Sequence, residues 1–253
     1  GMQSSDLGKP TVHIAGQVFG KKGSRTILSI ILAIACLGWF GIQANVCGVA
    51  LANLLAIYHL NIPIPIASLI SGMVMVVSAL YGMKVLRILS YIAVPLLVII
   101  CLYGLGQILT GEQLQLVRDY QPQGNMSFMD GLAVTIGSFA LGAVIAGDYS
   151  QFSKKRSDVF KAATLGIIPA GVLMIAVGAV TAVFLHIATP FIGGVGLILA
   201  TWKTNLVNAI SGGIALINVF DVAKNKERLA IGVAGTIGTI LAVVGILNYF
   251  TPI

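Results

Sequence analysis

Apolar runs return seven times along these 253 residues, at roughly 26–57, 62–83, 88–109, 128–147, 159–186, 194–219 and 229–247. A helix rises about 1.5 Å per residue, so each run is long enough to cross about 30 Å of hydrocarbon. Lipid offers no partner for backbone N–H and C=O groups, so such runs predict transmembrane helices. The fold class expected is an all-α polytopic membrane protein forming a single transmembrane domain. Composition agrees: 57% of residues are hydrophobic and 9% charged, against about 25% charged in soluble domains. The first run is over-long and should tilt steeply or extend beyond the bilayer.

Basic residues mark the loops between these runs. Lys9, Lys21, Lys22 and Arg25 precede the first run; Lys84 and Arg87 follow the second. Lys154, Lys155, Arg156 and Lys161 follow the fourth, and Lys224, Lys226 and Arg228 follow the sixth. Apart from Arg118 and Lys203, every Lys and Arg therefore falls on one side. The positive-inside rule then puts the N-terminus in the cytoplasm and the C-terminus of this chain outside; the location expected is a cell (inner) membrane. The net charge of +7 reads as a topology signal, so no nucleic-acid partner is expected; the expected partners are the lipid bilayer and a small molecule. These patterns leave the oligomeric state open. Cys36, Cys47 and Cys101 lie within apolar runs without disulfide or metal spacing, which predicts buried packing and no metal or cofactor. The opening at Gly1 and the stop at Thr251-Pro252-Ile253 suggest a fragment of a longer protein.

Pro95 and Pro169 fall inside runs and should kink them. Gly232, Gly235 and Gly238 recur at steps of three and suit close helix contact. The 110–127 connection reads as a solvated external loop.

Three constellations could carry chemistry. Cys36, Trp39 and Gln43 stand at i, i+3 and i+7 in the first run; an indole that stacks and an amide that donates and accepts suit a planar heteroaromatic ligand, while a packed Trp and an interhelical Gln bond are the bland alternative. Gly137, Ser138, Phe139 and Gly142 form a small-residue cluster in the fourth run, where either close packing or a helix break is possible. Asp148 follows at its cytoplasmic end, as a solvated boundary acid or as the partner of the basic loop after it. The sixth run is the strongest. Lys203 lies deep in it, among Thr201, Thr204, Asn205, Asn208 and Ser211, and a charge at bilayer depth costs roughly 2.5–3.5 kcal/mol on insertion scales. Such a group faces a cavity, joins an ion pair or snorkels to the interface.

Together, Gly38-Trp39-Phe40-Gly41, the segment from Leu86 to Pro95, Gly137-Ser138-Phe139, the segment from Ala146 to Phe152 and Trp202-Lys203-Thr204-Asn205 resemble the nucleobase:cation symporter-1 family, most closely its cytosine permease branch. The resemblance implies a LeuT-like fold of two inverted repeats, of which this chain would cover the third to ninth transmembrane helices. By position it implies that Trp39 stacks on the base, Gln43 contacts the substrate and Phe139 covers it, while Ser138 bonds its edge. Cys36, Asn205 and Asn208 complete the candidate substrate positions. Ala200, Lys203 and Thr204 fall at the family's sodium-binding position.

Two departures from the family pattern shape the expectation. Cys36 and Leu141 replace residues that hydrogen-bond a base, which weakens the case for cytosine itself. Lys203 replaces a small hydroxyl residue, so an ammonium would stand where relatives bind sodium; the coupling ion, H+ or Na+, is then open, and proton coupling or sodium independence is expected. The function implied is a secondary active permease for a nucleobase or related heterocycle such as cytosine, a purine or hydroxymethylpyrimidine. A transport-incompetent fragment of such a permease is the alternative. A retinal-type photoreceptor built on Lys203 lacks a buried carboxylate counter-ion, and an intramembrane enzyme lacks any His-Glu-x-x-His, paired-Asp or Ser–His arrangement. No enzymatic activity is expected.

Overall fold

The computed structural model describes residues 1–109, 115, 119, 121, 127–173, 175 and 190–250. All regular structure among them is helical: α1 (Met2–Leu7), α2 (Thr11–Gly23), α3 (Ser29–Ile57), α4 (Ile64–Leu80), α5 (Met83–Leu109), α6 (Phe128–Ser150), α7 (Arg156–Lys161), α8 (Pro190–Phe220), α9 (Glu227–Val243) and α10 (Leu247–Phe250). A π-helical turn, Ser24–Leu28, leads into α3, and a second, Ala162–Ile167, follows α7. The expected run at 159–186 is helical through residue 173; positions 174 and 176–186, including His186, lie outside the described residues. So does nearly all of the 110–127 connection, with Arg118.

Local chemistry sets the helix ends. Pro63 caps α4 and Pro65 occupies its first turn, where a missing N–H costs nothing. Gly82, at φ 64°, makes the turn from α4 into α5. Tyr58 and His59 end α3, with His59 in the left-handed region at φ 62° and the Leu60 N–H bonded back to the Leu55 carbonyl. Ser127 and Asp130 form a reciprocal capping box at the start of α6. The helix α5 runs on through Pro95. Ahead of the long first run, Gly20 breaks α2 at φ 70°.

The chain divides into two compact units: Gly1–Thr11 with Val98–Thr189, and Val12–Leu97 with Pro190–Ile253. In the second unit, α3, α4, α8 and α9 pack on one another. Phe40, Met75 and Leu206 are fully buried at the centre, with Ala44, Ala79 and Ile231 around them. The outward faces are apolar as well: Ile31, Ile34, Val77, Ile92, Ile99 and Ile240 are all exposed. A chain that turns this much aliphatic surface outward is built for lipid. Three described helical segments, Thr11–Ile57, Met83–Gly106 and Phe128–Ser150, are long and apolar enough to cross a membrane, and α4 is apolar but shorter. At 31 residues α8 is long enough, but Lys203, Asn205 and Asn208 dilute its hydropathy.

Candidate functional site

A seam of buried polar groups runs between α3, α4 and α8 in the second unit. The Asn205 Nδ2 donates to the Phe40 carbonyl at 3.0 Å and lies 3.2 Å from the Met75 sulfur, while its Oδ1 accepts from Asn208 Nδ2 at 3.2 Å. Both Asn205 and Asn208 are buried. The Asn45 amide donates to Ser68 Oγ at 3.1 Å and to the Ala242 carbonyl at 3.0 Å. The buried Cys47 thiol lies near the Ser71 and Thr201 hydroxyls. Among the described residues no buried side-chain N or O lacks a partner. Such bonds join membrane helices at about 0.6–2 kcal/mol each. Of the two asparagines at candidate substrate positions, Asn205 thus ties α8 to α3 and α4, and Asn208 braces it from the next turn of α8.

Lys203 lies on another side of α8. It is half-buried, and no carboxylate pairs with it among the described residues, whose ion pairs are Arg25–Asp221 and Arg156–Asp6. Half-buried Ala200 and exposed Thr204 flank it, and Thr204 Oγ1 donates to the Ala200 carbonyl at 2.9 Å. The adjacent Trp202 turns to the core, where its Nε1 donates to Ser78 Oγ at 3.2 Å.

Trp39 opens onto a groove of about 680 Å³ lined by Ile34, Leu37, Gly38, Ile42, Ile237 and Leu241, among others. The indole is half-buried at the rim of this groove. Cys36 and Gln43 do not share this groove with Trp39. Cys36 is fully buried, close to Gly212 on α8, and Gln43 is half-buried. Steps of three leave Cys36 and Trp39 about 60° apart around α3, and the edge of the contact with α8 falls between them.

The other unit holds Ser138 and Phe139. The helix α6 is unbroken through Gly137, Ser138 and Gly142. Ser138 Oγ donates within its own helix to the Thr135 carbonyl at 2.8 Å, and Phe139 is half exposed, with Gly171 near its ring tip. Among the described residues nothing lies within 4 Å of a side chain placed at Gly137 or Gly142, and none of them packs tightly against this stretch. Asp148 is buried and accepts a hydrogen bond from the Thr11 N–H at 2.9 Å, at the first residue of α2. Thr11 Oγ1 donates to the Val144 carbonyl, and Ser5 Oγ to the Ser153 carbonyl. The carboxylate is a helix cap, which excludes a solvated boundary acid.

Basic loops of the second unit meet at one end. Arg25 donates to the Val219 carbonyl and pairs with Asp221 at 3.0 Å in the turn after α8. Leu80, just before the turn into α5 and its second residue Lys84, lines a cavity with Arg228 at the start of α9. Three segments separated in sequence thus bring their Lys and Arg residues to the same end of the bundle.

Aliphatic outer faces, long apolar helices and an interior sewn by polar bonds define a multi-pass α-helical membrane protein. Residues 1–225 match the family described as permease for cytosine/purines, uracil, thiamine, allantoin. The chain belongs to that family. It is 25% identical over 239 residues to the cytosine permease of Escherichia coli (strain K12), covering 90% of this chain and 56% of the relative. It is 26% identical over 235 residues to the hydantoin permease of Microbacterium maritypicum, covering 80% of this chain and 48% of the relative. The chain spans about half the length of the curated relatives it matches.

Proposed function

We propose that this chain is part of a secondary active permease for a nucleobase or related heterocycle, such as cytosine, a purine or hydroxymethylpyrimidine, and that Lys203 frees it from sodium. Trp39 is the stacking platform. Its groove is apolar apart from the indole nitrogen and backbone, so hydrogen bonds to the edge of the base must come from other residues. Gln43 is the candidate donor within the same unit; Ser138 and Phe139, in the other unit, are assigned to the substrate by family resemblance alone. Asn205 and Asn208 shape the site by fixing α8, and Cys36 fills the space behind it. Orientation follows the charge pattern, with the basic ends cytoplasmic.

One observation carries the coupling claim: Lys203 is half-buried between Ala200 and Thr204, and among the described residues no carboxylate pairs with it. A resident cation there repels a second one, and an ammonium that releases and recovers its proton is a carrier for proton coupling. The test is radiolabelled heterocycle uptake by cells expressing the full-length protein, with and without sodium, for wild type, Lys203→Ala and Lys203→Thr. Wild-type uptake is expected to be indifferent to sodium, and Lys203→Thr to acquire a sodium response. Wild-type uptake that rises with sodium and ignores a proton gradient would overturn the claim.

A further inference from the structure

The outward side of α9 carries a cavity that the transport reading does not use. It measures about 520 Å³ and runs beside Leu229, Gly232, Thr236 and Ile237, with Leu80 on its flank and Arg228 at one end. From Arg228 to Ile237 the helix rises roughly 14 Å. Gly232 leaves the floor without a side chain; a Cβ there would meet only Leu80, at 3.6 Å. Leu229, Thr236 and Ile237 are exposed along the trough.

Charge decides what fits. Arg228 is exposed and stands at the basic end of the bundle, with Lys226 two residues before it and Lys84 beyond Leu80. Asp221 in this connection is paired with Arg25, and within 224–228 three cations outnumber the one acid, Glu227. A polypeptide helix laid in the trough would need an acid of its own for Arg228. A phospholipid brings the apolar chain and the negative charge in one molecule. Its phosphate matches the forked guanidinium, which binds two oxygens at once, and its chain replaces water or loose lipid along the aliphatic wall.

We propose that this cavity is a binding site for an anionic phospholipid of the surrounding bilayer, with the phosphate on Arg228 and an acyl chain along α9 over Gly232. The headgroup then lies at the level of the basic loops, where each Lys or Arg contributes about fivefold in affinity for anionic lipid. The site is separate from Lys203 and does not depend on what the protein carries.

The experiment is native mass spectrometry of the purified full-length protein in detergent, titrated with phosphatidylglycerol or with phosphatidylcholine of the same chains. Wild type is expected to retain phosphatidylglycerol preferentially. Arg228→Gln should lower phosphatidylglycerol affinity about fivefold and leave phosphatidylcholine unchanged, whereas Gly232→Leu should weaken both by filling the trough. Should Gly232→Leu fail to fold, Thr236→Leu narrows the same trough from an exposed position. Equal retention of the two lipids by wild type, or undiminished phosphatidylglycerol binding in Arg228→Gln, would overturn the proposal. Binding unaffected by either wedge would do so too, as expected if further polypeptide covers this face.

Discussion

Asn205 illustrates how a polar residue in a membrane helix can be structural and still sit at a functional address. Its amide serves Phe40, Met75 and Asn208 together, linking α8 to α3 and α4. Replacing it with leucine keeps the volume but strands the Asn208 amide in an apolar interior. The expected cost is about 1–2 kcal/mol, read as a lower denaturation midpoint in detergent, with Asn45→Leu behaving similarly. Trp39→Ala should differ. The indole is half-buried on the rim of a groove, so its loss should leave stability within about 1 kcal/mol while raising the KM for uptake. If Trp39→Ala lowers only expression, the stacking role is lost.

Glycines test the argument at the scale of the element. Gly232, Gly235 and Gly238 looked equivalent as a stripe, yet steps of three rotate by 60° each time on a helix of 3.6 residues per turn. Gly238 faces the Phe40 ring and Gly235 faces Val76, each with a would-be Cβ at 2.6 Å, while Gly232 has turned to the open cavity. Gly238→Val should therefore destabilise by about 1–3 kcal/mol through overpacking, and Gly232→Ala by under about 0.5 kcal/mol. Thermal unfolding of the two variants separates them; equal losses would mean that α9 faces another way. Element existence was largely legible in the sequence, because hydropathy over twenty residues is a local signal. Ends were legible where Pro63, Pro65, Gly82 or the Ser127–Asp130 box marked them. The packed faces were not. Asn45 finds its acceptor at Ala242, 197 residues away, and no periodicity along α3 points to that pairing. The candidate site suffered the same way: Trp39 was readable as an amphipathic ring in an apolar helix, but the inward turn of Cys36 depends on where α8 docks. Asn45, Ser68 and Ser71 were missed as members of the polar seam, though Ser68 and Ser71 share one side of α4 at i, i+3 spacing.

For the whole molecule, charge and packing give the same answer by independent routes. The loop pattern places Lys and Arg on alternate connections. Within the second unit, the Arg25–Asp221 pair and the cavity shared by Leu80 and Arg228 bring those connections to one end. His59 and Leu60, at the other end of α3, precede a stretch without Lys or Arg up to Lys84. An impermeant thiol reagent turns this into a topology measurement, because Cys36, Cys47 and Cys101 are all buried. Single cysteines at exposed Tyr81 and Asn225 should stay unlabelled in intact cells and react in inside-out vesicles, whereas Leu60→Cys should react in intact cells. The reverse pattern would invert the protein in the membrane. Tyr81 and Asn225 reacting from opposite sides would break the bundle itself, since Leu80 and Arg228 line one cavity.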